Sequence, residues 1–143
     1  MESEIDGVTI NSKIKTNNPK KIYIMLGTNS VGYSDGNYLA NCMGELVQQI
    51  SQITKAKVYV LSIPPITYYA EADYDNALTT SAINEYNAAL KSVIKGTKAK
   101  FLDFHSVLTA PDGYYYEEYH EMDGIHFMSS TYQVMLSFLE KHS

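Results

Sequence analysis

The stretch Lys21-Ile22-Tyr23-Ile24-Met25-Leu26-Gly27-Thr28-Asn29-Ser30 joins an apolar run to a polar turn. Five consecutive apolar residues closed by a glycine are too few for an ordinary helix, and they predict a strand that is buried on both faces. Such a strand belongs in the middle of a parallel sheet. Ligands of these sheets bind beyond the carboxyl ends of the strands, so Gly27, Thr28 and Asn29 are candidates for a functional site.

The chain on either side of this strand alternates between helical and extended patterns. We expect a polar connector over residues 1–19, with a short helix near Ile10 to Thr16, and one domain over residues 20–143. The elements predicted after the first strand are a helix over 39–53, a strand over 57–63, a helix from Thr80 or Ser81 to a stop at Gly96, a strand over 101–104 and a last helix from Ser129 or Ser130. This order is typical of a parallel sheet with right-handed crossovers.

The spacing of apolar residues within each predicted helix also predicts which side chains are buried. Cys42 falls on the apolar face of the first long helix and is expected to be buried there as a small hydrophobic residue. Ser130 to Gln133 fits a capping box at the start of the last helix. That helix is expected to bury four apolar side chains: Tyr132, Met135, Leu136 and Leu139.

Composition narrows the range of partners. The net charge is −5, and all 11 basic residues are lysines, so the chain has no arginine to bind phosphate through two bonds. Nucleic acid is therefore not an expected partner. No apolar run approaches the roughly 18 residues of a membrane span. One cysteine forbids an internal disulfide, and the first twenty residues lack the apolar core of a signal peptide, so no compartment is assigned.

A second polar stretch, Asp123-Gly124-Ile125-His126, lies in a tyrosine-rich loop before the last helix. Gly124 allows a sharp turn, which would let the Asp123 carboxylate contact one imidazole nitrogen of His126 and leave the other nitrogen free. A carboxylate in this position fixes the imidazole tautomer and stabilises the imidazolium ion, as it does in acyl-transfer enzymes. Taken alone, an Asp and a His three residues apart are more often a structural hydrogen-bonded pair than a catalytic one.

The two stretches together resemble the SGNH (GDSL-like) hydrolase family. Ser62-Ile63-Pro64-Pro65 and Asn84-Glu85-Tyr86-Asn87 add further similarity between them. The resemblance implies a three-layer α/β fold with a flavodoxin-like parallel sheet and hydrolysis of carboxylic esters by a Ser-His-Asp triad without a cofactor. It assigns the general base to His126, the orienting acid to Asp123 and the oxyanion hole to Asn29 in its Gly27 turn.

The nucleophile segment of that family is absent from this sequence. No Gly-Asp-Ser occurs, Gly7 is a weak match to the family's second oxyanion glycine, and Ser30 stands where the family often has an acidic residue. We therefore expect the chain to be the C-terminal two-thirds of a longer hydrolase, or to be completed by a second copy or a separate segment. The completing strand would pair with the Ile22–Leu26 edge, which would otherwise stay open.

Two other functions remain open at this point. A non-catalytic module could bind carbohydrate or acyl groups, because aromatic rings in the predicted loops suit sugar faces. The substrate-binding candidates are Thr28, Pro65, Tyr68 and Tyr116, with Tyr69, Tyr74, Tyr114, Tyr115 and Tyr119 nearby in the sequence. His120, Asp123 and His126 are evenly spaced and have zinc-binding chemistry, but the glycine between them breaks the helix that would align them, so no metal is predicted.

Overall fold

A computed structural model describes residues 4–5, 8–73 and 77–143. Its elements are β1 (Glu4–Ile5), β2 (Val8–Thr9), α1 (Ile10–Asn17), β3 (Lys21–Ile24), α2 (Gly36–Ile53), β4 (Lys57–Leu61), α3 (Tyr68–Glu71), α4 (Thr80–Lys95), β5 (Lys100–Leu102), α5 (His105–Leu108), a 3₁₀ turn (Glu117–Tyr119) and α6 (Thr131–His142). The predicted order of strands and helices is confirmed. Gly7 and Tyr74 lie outside the described residues.

The main sheet has three parallel strands in the order β3-β4-β5. Ile22 is in register with Val58, and Val60 with Phe101. Within the part of the chain that the structure describes, β4 is the central strand and β3 is at an edge, so the expectation that β3 lies in the middle of the sheet is wrong for these residues. β3 is not buried on both faces either, since Tyr23 is 40% exposed although its ring stacks on Tyr59 and its hydroxyl lies 2.6 Å from the Ser143 hydroxyl.

Two apolar clusters cover the two faces of the sheet. On one face, α2 and α4 pack on the sheet and on each other around a core that includes Val47, Val60 and Leu90. On the other face, α6 and α5 close over Leu61, Leu102 and Phe104. The result is a helix–sheet–helix arrangement, in which side chains that alternate along β4 enter opposite layers.

Capping explains where the long helices begin. The Asp35 side chain accepts a hydrogen bond from the Tyr38 N–H at the start of α2, and Thr79 does the same for the Ala82 N–H at the start of α4. The predicted stop at Gly96 is confirmed, since α4 ends at Lys95. The short helix predicted near Ile10 is confirmed as α1.

Three burial and capping predictions are wrong. Cys42 is exposed, in an open groove that Leu26, Gly27 and Tyr86 also line. Ser130 begins α6 without a side-chain hydrogen bond. Tyr132 and Leu136 are each 52% exposed, whereas Leu139 is buried, because α6 contacts the sheet along a narrower stripe than the helical spacing indicates.

No helix among residues 4–5, 8–73 and 77–143 combines the length and the apolar character that crossing a membrane requires.

Candidate active site

The polar turn after β3 is built on a glycine that packs against an aromatic ring. Gly27 has φ +136°, and a Cβ there would lie 2.7 Å from Cε1 of Tyr86. The Tyr86 hydroxyl donates to the Leu26 carbonyl at 2.8 Å, and the Gly27 carbonyl accepts from Ser30 and Val31. A glycine is required at this point by both backbone conformation and space. The turn leaves Asn29 exposed.

The Asp123–His126 pair predicted from the sequence forms in the structure. His126 Nδ1 lies 2.5 Å from Asp123 Oδ2, with 75% of the histidine side chain exposed. Asp123 Oδ1 accepts from the backbone N–H groups of Ile125 and His126, at 2.9 and 3.0 Å. The carboxylate therefore holds the turn and the imidazole together, and the tautomer with its proton on Nδ1 leaves Nε2 as the basic nitrogen.

Hydrogen bonding keeps the Asp123 carboxyl group ionised. Partial burial alone would raise its pKa, but the His126 and Ile125 N–H groups and the His126 side chain outweigh that effect and lower the pKa to about 2. A carboxylate that stays charged at neutral pH can stabilise a positive imidazolium beside it throughout the range where enzymes work.

The pair and the turn lie at the same end of the sheet. The loop that follows β4, residues 62–67, ends at Thr67, whose N–H donates to the Gly124 carbonyl at 3.1 Å. Since β3 and β4 are parallel neighbours, this loop leaves the sheet at the same edge as the Gly27 turn. Ile125 and Met25 also contact the same apolar cluster. We therefore place both candidate stretches at the carboxyl ends of the strands.

The predicted substrate-binding residues differ in their exposure. Tyr68 is 69% exposed and its ring meets Tyr114 edge-on, with centroids 5.8 Å apart. Thr28 and Tyr116 are half-buried, and Tyr116 packs edge-on against Tyr119. Pro65 is buried inside the loop after β4.

His120 is part of the protein interior rather than of a metal site. It is buried, its Nδ1 lies 2.7 Å from the Glu121 carbonyl, and its ring packs against Tyr69 and Tyr115. Within the described ranges, no three side chains of the metal-binding types come together.

The sequence reasoning missed the residues that support the pair from below. Thr67 contacts Gly124 directly, and Asn87 and His105 hold the loop that carries Thr67. Two signals could have indicated this: the Ser62-Ile63-Pro64-Pro65 run at the end of β4, and an asparagine on the sheet-facing side of α4.

Comparisons with known proteins bear on the family and the fold of the chain. The model of the GDSL-like lipase/acylhydrolase family matches residues 7–134. No curated protein matches the chain. Solved structures with the same fold include a Streptococcus pneumonia protein (TM-score 0.78, 20% identity, 92% of this chain and 67% of that chain). They also include the lipase/acylhydrolase from Enterococcus faecalis (TM-score 0.72, 15% identity, 92% of this chain and 65% of that chain). A third is the Clostridium thermocellum family 3 carbohydrate esterase (TM-score 0.66, 20% identity, 92% of this chain and 59% of that chain).

Identity this low shows only that the chain shares the fold of those structures, and the chain spans 59 to 67% of their length. The family rests on the other comparison, because the family model covers nearly the whole sequence, including both candidate stretches. This chain belongs to the GDSL-like lipase/acylhydrolase family.

Proposed function

We propose that this chain carries the general base and an oxyanion donor of an enzyme that hydrolyses carboxylic esters. His126 is the base, Asp123 orients it, and Asn29 is the donor. The observation that carries the proposal is the hydrogen-bonded Asp123–His126 pair, which presents an exposed imidazole at the same carboxyl end of the sheet as the Asn29 turn. Membership of an acylhydrolase family supports the same reaction class.

The reaction follows from the chemistry of these groups. A serine oxygen attacks the ester carbonyl carbon while its proton moves to His126 Nε2, and the carbonyl oxygen becomes an oxyanion that the Asn29 amide stabilises. Collapse of the tetrahedral intermediate breaks the bond to the alcohol, which leaves with the proton from His126. Water then hydrolyses the acyl-serine by the same sequence. One oxyanion donor contributes about 3 kcal/mol to such a step.

The uncovered edge of β3 is the place where we propose that the nucleophile segment pairs. Leu26 is 55% exposed at this edge and borders a groove of about 190 Å³ that Leu39, Cys42 and Leu46 also line. A strand with unpaired backbone groups and apolar neighbours accepts another strand readily. The segment that carries the serine either precedes residue 1 in the same protein or belongs to a separate polypeptide.

The substrate class that we propose is a small acyl ester, including acetylated carbohydrate. Exposed Tyr68, in contact with Tyr114, offers an aromatic surface beside the pair that suits a sugar face. One neighbour in fold is named as a carbohydrate esterase, which favours the same class.

The test is serine labelling of the protein that the whole gene encodes, with a fluorophosphonate. We expect one labelled serine outside residues 1–143, and we expect its labelling to be lost in His126→Ala and kept in His142→Ala, a control at the far end of α6. Residues 1–143 alone should neither label nor hydrolyse 4-nitrophenyl acetate above background. A labelled serine within these residues, or labelling that ignores His126, would contradict the proposal.

A binding module is the second candidate, and the exposed tyrosines are the observation that favours it. It becomes the better account if the gene encodes no upstream serine segment and the chain stays monomeric. Titration with acetylated xylo-oligosaccharide, followed by tyrosine fluorescence, would then show saturable binding that Tyr68→Ala weakens. Packing tyrosines without a binding role would give no saturable change.

A further inference from the structure

The loop between β4 and α3, residues 62–67, is buried along its whole length. Loops usually run over the surface, because buried backbone groups need hydrogen-bond partners that irregular structure does not supply. In this loop the partners come from other parts of the chain. Identifying them shows which residues determine the position of the loop.

At its start, the loop is paired with a side-chain amide of α4. Asn87 Oδ1 accepts from the Ile63 N–H at 2.9 Å, and Asn87 Nδ2 donates to the Ile63 carbonyl at 3.1 Å. His105 Nδ1 donates to the same carbonyl at 2.9 Å. An amide is the one neutral side chain that offers both a donor and an acceptor in this geometry, so it replaces the strand pairing that ends with β4.

A second contact fixes the residue before Ile63. The Ser62 hydroxyl accepts from the His105 N–H at 2.8 Å and donates to Asp103 Oδ1 at 3.3 Å. The first two residues of the loop are therefore anchored to α4 and to the segment after β5, and the two prolines that follow stiffen the chain beyond them.

At its other end, the loop carries the candidate catalytic turn. The Ile66 carbonyl accepts from the Tyr115 N–H, and the Thr67 N–H donates to the Gly124 carbonyl, both at 3.1 Å. Gly124 has φ +71°, and a Cβ there would overlap Thr67 Oγ1. The turn that joins Asp123 to His126 thus rests directly on Thr67.

We propose that Asn87 is a positioning residue for the Asp123–His126 pair and acts through this buried loop. The Asn87 amide fixes the position of Ile63, and the stiff loop carries that position on to Thr67. Thr67 then fixes the position of the Asp123–His126 turn, because it contacts Gly124. This positioning role of Asn87 is geometric and does not depend on whether the pair hydrolyses esters.

Asn87→Ala tests the proposal, with Asn84→Ala as the control because Asn84 lies on the exposed side of the same helix. Amide hydrogen exchange is measured for Thr67 and, as a reference for global stability, for Val47 in the buried interior of α2. We expect Asn87→Ala to lower protection at Thr67 about tenfold relative to Val47, because the loop opens locally. We expect Asn84→Ala to leave both amides unchanged.

The second measurement reports on the pair itself and would not respond to a merely structural change elsewhere. Carboxyl-carbon NMR follows the pKa of Asp123, which the turn lowers to about 2. Asn87→Ala should move this pKa upward toward the ordinary value, since the N–H donors of the turn shift away from the carboxylate. Unchanged Thr67 exchange and Asp123 pKa in folded Asn87→Ala, or equal changes in Asn84→Ala, would overturn the proposal.

If Asn87→Ala does not fold, His105→Ala decides the question, because it removes one bond to the Ile63 carbonyl and the 3.3 Å contact with Asn87 Nδ2, and leaves the two Asn87–Ile63 bonds in place. We expect smaller shifts of the same sign at Thr67 and Asp123. No shift at either residue would overturn the proposal.

Discussion

Replacing Gly124 by alanine should destabilise the protein more than a positive backbone angle alone explains. The added Cβ would overlap Thr67 Oγ1 and lie 2.9 Å from Tyr69 Cε2, and Thr67 is buried. The left-handed conformation costs a non-glycine residue about 1 to 2 kcal/mol. Overpacking against a side chain that cannot move adds about 1 to 3 kcal/mol. We therefore expect Gly124→Ala to lower the free energy of unfolding by about 2 to 5 kcal/mol.

Gly113→Ala is the matched control for this prediction. Gly113 has φ +90°, and a Cβ there would meet nothing within 4 Å, so this variant should show the backbone cost alone. Urea denaturation of both variants gives the cost of the contacts with Thr67 and Tyr69 as the difference between them, about 1 to 3 kcal/mol. Equal losses in the two variants would refute the reasoning that the turn rests on Thr67.

A double-mutant cycle tests the contact between residue 124 and Thr67 directly. Thr67→Ala alone removes the hydroxyl that caps α3, where it accepts from the Ala70 N–H at 3.2 Å, and should cost about 1 kcal/mol. In the Gly124→Ala background the same change also removes the overlapping oxygen. The double variant should therefore be more stable than the sum of the single changes indicates, by about 1 kcal/mol. Simple additivity would contradict a direct contact.

Three further predictions concern the pair, the turn and the edge. The pKa of Asp123 is about 2, below the ordinary value near 3.9, so the ionised carboxylate stabilises the fold above about pH 3.9 and this stabilisation is lost as the pH falls toward 2. Because the group is half exposed, we expect the loss to be roughly 1 kcal/mol in urea denaturation between pH 5 and pH 2. The Asp123→Asn variant should not show this loss. Tyr86→Phe should cost about 1 kcal/mol, because it removes the hydrogen bond to the Leu26 carbonyl, whereas Tyr132→Phe on the exposed side of α6 should cost nothing measurable by the same assay. Leu26→Lys should reduce self-association of the isolated chain in sedimentation velocity, since it adds a charge to the open edge of β3; a wild-type chain that is already a compact monomer would contradict the predicted role of that edge.

The order of elements could be predicted from local sequence because each signal is local. Apolar runs such as the one over β4 indicate strands, and the spacing of Ile83, Tyr86 and Leu90 indicates the buried face of α4. The Asp123–His126 contact could also be predicted, since the glycine between them, directly after Asp123, allows one turn to bring the two side chains together.

The burial of individual side chains could not be predicted reliably, because it depends on which distant elements pack together. The helical spacing that predicts a buried Cys42 does not say which neighbour faces that side of α2, and at this edge β3 has no partner strand in the described sheet. The contacts that Thr67 and Asn87 make could not be predicted from the sequence for the same reason. Each acts on a backbone group of a residue distant in sequence, and no side-chain pattern records such a contact.

The measurement that tests the central claim most directly is a crystal structure of the protein that the whole gene encodes, with a bound alkyl phosphonate as a tetrahedral mimic of the oxyanion. We predict that Asn29 Nδ2 and His126 Nε2 both lie within about 3 Å of the bound phosphonate oxygens, at the carboxyl ends of β3 and β4. A structure in which the amide and the imidazole face opposite sides of the molecule, so that one ligand cannot contact both, would contradict the account.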